Sequence, residues 1–180
     1  MVFAAVGLVA ELMALAARTA PKALGHDCLE VKVVTGEALQ KLADEMDRYG
    51  RETGKANFDR DADNVRRSGA VLLVALKENR TLGLNCGACG NEQCSALKAR
   101  EGGEFPGPFC AWRLVDLGIA LGSAARTASL LCADSRIMYR VGVVARKAGF
   151  VEGLVALGIP VSAHSKNIYF DRLEQKAPGA

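Results

Sequence analysis

Apolar positions fall into runs whose period separates helix from strand. Residues 2–17 (VFAAVGLVAELMALAA) are almost wholly apolar, with Glu11 the single charge. The run is shorter than the ~20 residues of a membrane span. Its first basic residue, Arg18, follows the apolar stretch, whereas an export signal begins with positive charge. The run therefore predicts a buried helix suited to a subunit interface. After a turn at Pro21 and Gly25, residues 28–34 predict a short strand, with Val31 and Val33 on one side. Thr35 is placed to cap a helix in which Leu39, Leu42, Ala43 and Met46 share a face opposite Lys41, Asp44, Glu45 and Arg48. A short helix is expected around Arg60–Arg66. Residues 69–76 (GAVLLVAL) read as a strand covered on both faces.

Farther on, residues 115–132 carry only Asp116 and Arg126 as charges, which predicts a helix buried all round. Gly118 and Gly122 lie four apart on it and would admit close packing or a flat ligand. Asp134 or Ser135 is expected to cap another helix, with Ile137, Met138, Val141, Val144, Ala145 and Ala148 inward. Arg136, Arg140, Arg146 and Lys147 point away. Residues 153–159 (GLVALGI) predict a last core strand ending at Pro160. Helices and strands mix without strict alternation, so the fold class is α+β, a single domain over residues 1–180.

Composition narrows the possibilities. Half of the 180 residues are hydrophobic, enough for a core and too many for disorder. A net charge of +3, no long basic run and 6% aromatic residues argue against nucleic-acid binding. No membrane partner is expected either. Four of the six cysteines crowd into residues 86–110, which favours metal binding in a reducing compartment over disulfides and makes the cytoplasm the expected location.

Those four, Cys86, Cys89, Cys94 and Cys110, read C-x2-C-x4-C-x15-C within a Gly- and Pro-rich segment, an inserted module at 82–111. A cubane cluster needs thiolates at four corners, three of which one loop can supply, with a distant cysteine closing the last. Gly87 and Gly90 let backbone N–H groups approach the sulfurs. Leu84, Phe105, Phe109 and Trp112 are expected to limit water access. A structural zinc site is the rival, although zinc knuckles usually bring ligands in close pairs and only one C-x2-C occurs here. A plant-type 2Fe–2S site would reverse the first two spacings. The pattern points to one 4Fe–4S cluster.

NCGACGNEQC (85–94) with Cys110 resembles the 4Fe–4S domain of the corrinoid iron–sulfur protein and of a subunit of ion-translocating ferredoxin oxidoreductases. ARTAPKALGHD (17–27), GLNCGACG (83–90), DLGIALGSAA (116–125), DSRIMYRVG (134–142) and GIPVSAHSKNIYFDR (158–172) resemble the DUF2148 family of uncharacterised ferredoxin-domain proteins. A small residue is usual in that family at the place of His164. The order of elements is also similar to that of FMN-dependent nitroreductases, α/β-sandwich homodimers with flavin at the interface. That likeness implies that Arg18, Lys22, Lys166 and Arg172 could hold a flavin phosphate. The residues themselves suit ordinary surface or ion-pairing roles.

The remaining chemistry-bearing residues have plain readings. Cys28 and Cys132 suit buried filler positions. His26 and His164 are too few for a histidine site, and no base accompanies Ser123 or Ser129. Tyr139, Tyr169 and Phe170 are expected to pack. The expected function is ferredoxin-like electron transfer, with a donor or acceptor protein or a small redox molecule as partner. The alternatives are a flavin and iron–sulfur oxidoreductase of a small molecule, and a zinc- or cluster-stabilised binding or redox-sensing module.

Overall fold

The computed structural model describes residues 2–170, with side chains from residue 5 onward. Its elements are α1 (Val2–Thr19), β1 (Leu29–Val34), α2 (Gly36–Thr53), α3 (Phe58–Arg66), β2 (Ala70–Leu76), α4 (Ala111–Leu130), β3 (Asp134–Ser135), α5 (Tyr139–Lys147) and β4 (Val155–Ser162). The strands form one antiparallel sheet in the order β1-β2-β4-β3. Because side chains alternate across a strand, every residue of β2 is buried. Val71, Leu73 and Ala75 join α2, α3 and α5 in one core. Ala70, Leu72, Val74 and Leu76 join α1 and α4 in the other. The result is an α+β sandwich with helices on both sheet faces. No helix among the described residues is long and apolar enough to cross a membrane.

Most predicted elements lie where the periodicity put them. Leu39, Leu42, Ala43 and Met46 form the buried face of α2, although the Thr35 hydroxyl makes no capping hydrogen bond. Three expectations are corrected. Asp134 and Ser135 do not cap a helix; they pair with Ser162 and Val161 as β3, and α5 starts only at Tyr139. Ile137 accordingly faces solvent. Pro160 does not end β4, which continues to Ser162. Gly158 exchanges backbone hydrogen bonds with Met138, so the same edge of β4 two residues on faces the gap between Met138 and β3. A proline lacking its N–H costs no ladder bond there.

The third correction concerns α4, which has an exposed side. Leu114, Val115 and Ile119 face outward, as do Leu8, Leu12 and Leu15 of α1. A Cβ at Gly118 or Gly122 would meet nothing within 4 Å. Neither glycine serves packing inside the chain. Cys132, expected to be buried, is exposed just beyond the helix.

Close approach occurs instead between α5 and β4. A Cβ on Gly142 would lie 1.8 Å from the Ala156 carbonyl oxygen, and one on Gly158 2.3 Å from Val141 Cγ1. Backbone cannot yield as a flexible side-chain tip can, so overpacking here shifts the whole helix. Gly142→Ala should destabilise the fold by about 3 kcal/mol in urea unfolding. A loss below about 0.5 kcal/mol would show that α5 has room to move.

Candidate metal centre

The cysteine module leaves the sheet at the end of β2 and returns at the start of α4. Two polar clasps close its base. Asn79 Nδ2 donates to the Pro108 carbonyl (2.9 Å), and Asn79 Oδ1 accepts from the Cys110 N–H (3.0 Å). From α4, Arg113 Nε donates to the Arg80 carbonyl at 2.9 Å. Cys110 is the residue before the first turn of α4, so both clasps fix the distant cysteine against the segment that leads to the other three.

Arg113 and Asp116 were not singled out by sequence, yet they are the structural centre of this region. Arg113 is the largest fully buried side chain among the described residues. Its Nη1 lies 2.9 Å from Asp116 Oδ2, while Asp116 Oδ1 accepts the Ala23 N–H at 2.9 Å. His26 Nδ1 sits 3.4 Å from Arg113 Nη2. Cys28 is buried beside the pair as expected, and burial pushes its thiol above the ordinary range. Opposite charges three apart in a helix with only one other charge, Arg126, were the available signal.

All four motif cysteines line one cavity, together with Leu84, Leu97 and Trp112. Cys86 is exposed, Cys89 and Cys94 are half-buried, and Cys110 is buried. None forms a disulfide. Gly87 (φ 74°) and Gly90 (φ 84°) turn the loop in the left-handed region that favours glycine, and the Gly90 N–H donates to the Gly87 carbonyl. Donors reach three of the sulfurs. The Asn85 N–H lies 3.3 Å from Cys94 Sγ, Asn91 Nδ2 lies 3.9 Å from Cys89 Sγ, and Trp112 Nε1 lies 3.3 Å from Cys86 Sγ. The Ala88 N–H and the Trp112 indole hold the Cys86 thiol below its usual range. Asn85 also accepts the Cys94 N–H through its side chain.

Among the described residues, no three Cys, His, Asp or Glu side chains converge to hold a single metal ion. The cavity lining holds four cysteines and no His, Asp or Glu, a soft all-thiolate donor set of the kind that iron–sulfur clusters and zinc both take. Of the expected shielding residues, Leu84 and Trp112 border the cavity, yet both are substantially exposed. Phe109 is buried in the α1/α4 core, and Phe105 packs edge-on to Tyr139.

A second anchor holds the far arm of the module. Arg100 and Gly107 exchange two backbone hydrogen bonds, and Glu104 at the tip reaches α2 and α5. Glu104 accepts from Lys55 Nζ at 2.6 Å, from Tyr139 Oη at 2.5 Å and from Tyr49 Oη at 3.3 Å. Burial would raise the Glu104 carboxyl, but the bonds from Lys55 and Tyr139 outweigh it and hold it below the carboxylate range. Tyr169 is fully buried as expected, whereas Tyr139, although bonded to Glu104, and Phe170 are exposed.

Of the residues considered for a flavin phosphate, Arg18, Lys22 and Lys166 do not line the cysteine cavity. Arg18 pairs with Asp27 and donates to the Leu29 carbonyl (3.2 Å). Lys22 donates to the carbonyls of Ala17, Arg18 and Ala20, closing the end of α1. Lys166 lies exposed in the segment after β4, and Arg172 lies outside the described residues. His164 is exposed and its Nε2 lies 3.0 Å from the Arg67 carbonyl oxygen.

Comparison with known proteins adds family and fold. Residues 106–172 match the family of uncharacterized proteins containing a ferredoxin domain (DUF2148). An uncharacterized protein of Archaeoglobus fulgidus is 48% identical over 173 residues, which are 95% of this chain and 94% of that one. The fold is similar to that of a nitroreductase from Lactococcus lactis in complex with 4-nitrophenol: TM-score 0.59 and 15% identity over 88% of this chain and 78% of that one. A nitroreductase with bound FMN from Desulfitobacterium hafniense gives a TM-score of 0.54 at 14% identity, with the same coverage of both chains. The sandwich around the sheet is therefore nitroreductase-like.

Removing one member of a buried ion pair strands the other charge. Asp116→Ala should cost about 3–5 kcal/mol in urea unfolding. The double variant Arg113→Met/Asp116→Leu should recover most of that loss, because no charge is left buried. Additive losses would contradict a coupled pair.

Proposed function

Because the chain belongs to the DUF2148 family of uncharacterized proteins containing a ferredoxin domain, we propose that it is an iron–sulfur protein of electron transfer. Cys86, Cys89, Cys94 and Cys110 would hold one 4Fe–4S cluster. The observation that carries this reading is the single cavity lined by all four thiols. Such a cluster, when bound, takes up and releases one electron at a time. The chain's own part is to keep the ligands fixed and to spread their negative charge. Asn79 and Arg113 hold the Cys110 end, and the donors from Asn85, Asn91 and Trp112 face the sulfurs. The partners are a donor or acceptor protein, or a small redox molecule, meeting the exposed Cys86 side. Six free cysteines fit a reducing compartment and thus the cytoplasm.

A second reading, in which the protein is an oxidoreductase that also binds FMN, is favoured by the fold of its structural neighbours. Fold alone does not carry an activity across. On that reading Arg18, Lys22, Lys166 and Arg172 are the residues that would hold the flavin phosphate. Pairing of two chains would cover the outward leucines of α1 together with Val115 and Ile119 of α4. A stable interface covers about 800 Å² on each partner, a demand that an apolar two-helix face can meet.

Cys94→Ala should lose most of the iron and sulfide that the wild-type chain retains, measured after anaerobic purification. Cys132→Ala, outside the cavity, should lose none. Normal iron and sulfide in Cys94→Ala would refute the ligand assignment.

A further inference from the structure

Trp112 is the one tryptophan of the chain. It is the second residue of α4, borders the cysteine cavity and is 41% exposed. An indole has a single polar atom, a donor, and at an exposed site water ordinarily takes that bond. Here Nε1 faces Cys86 Sγ at 3.3 Å. A neutral thiol is a weak acceptor, whereas a thiolate makes a charge-assisted bond. The contact thus has its full worth when Cys86 is ligated.

The other two sulfur contacts differ in origin. Asn85 and Asn91 belong to the module itself and reach the half-buried Cys94 and Cys89. Trp112 is supplied by a scaffold helix, whose base is set by the Arg113–Asp116 pair, and it reaches the exposed cysteine. A donor aimed at a ligand sulfur stabilises the more negative state of the metal centre. Reduction adds one electron, supplied by the donor molecule, and neither makes nor breaks a bond at Trp112.

We infer that Trp112 is a potential-setting residue, whose indole N–H on Cys86 Sγ favours the reduced state of the group that Cys86 would ligate. This rests on the iron–sulfur reading above. It makes Trp112 a positioning residue of the electron-transfer site, distinct from the cysteines that hold iron. The half-exposed ring beside Cys86 also lies at the surface a redox partner would meet.

The test compares anaerobically purified wild type with Trp112→Phe, which keeps a ring and removes the N–H. Iron and sulfide are quantified, and the midpoint potential is read by a redox titration followed by electron paramagnetic resonance. The expected result is equal iron and sulfide with a lower midpoint in the variant. An equal or higher midpoint at equal loading would overturn the inference, and so would loss of iron from a folded variant, which would make Trp112 a retention residue. Should the variant fail to fold, wild type labelled with indole-¹⁵N tryptophan decides. Its single indole nitrogen should show hyperfine coupling to the reduced centre, and absence of coupling overturns the contact. A wild type that holds no iron or sulfide sinks the iron–sulfur reading, and this inference with it; a loaded wild type with an indifferent Trp112 sinks the inference alone.

Discussion

Arg113 is enclosed by protein on every side, and each nitrogen of its guanidinium finds a partner. Asp116 neutralises it, the Arg80 carbonyl accepts from Nε, and Ala23 and His26 come from the loop after α1. Desolvating a charge costs several kcal/mol unless it is paired and hydrogen-bonded. These partners are therefore obligatory, and they belong to three separate stretches of chain. One is the turn between α1 and β1, one is the segment leading into the cysteine module, and one is α4 itself. The pair thereby sets where α4 begins, and the residue before that beginning is Cys110.

With that end fixed, the module behaves as a loop pinned at three points. Asn79 and Arg113 close its base, and Glu104 ties its arm to α2 and α5. Beneath it lies a strand, β2, buried over its whole length between two strand neighbours and two helical layers. Loop chemistry on a rigid support is the usual arrangement of a functional site. The glycines at 87 and 90 supply the turns. The side-chain and backbone groups that hydrogen-bond Cys86, Cys89 and Cys94 are donors, the polarity that suits thiolate ligands.

The sequence made the scaffold readable wherever burial followed a clean period. The α2 stripe and the seven-residue run of β2 are such places, since one face or both faces of each are apolar. It misleads at α4, where sparse charge predicts full burial and one side is open. An apolar helix looks the same whether its outer side meets a core or a partner surface, and Leu114, Val115 and Ile119 remain outside in the single chain. It failed also at Asp134, because a two-residue strand has no period to read. The cysteine spacing announced the ligands without announcing their clasps. Asn79, Glu104 and Arg113 reach partners 29 to 90 residues away in sequence, and no local pattern encodes such distances. Trp112, a shield by its sequence position, is a hydrogen-bond donor to a sulfur.

A nitroreductase-like sandwich thus presents a cysteine module between its buried central strand and α4. The most direct test of a cluster in that cavity is chemical analysis of the chain purified without oxygen. The account predicts about four iron and four sulfide per chain, with broad visible absorption that bleaches on reduction. A colourless protein with one zinc per chain and no sulfide would contradict it.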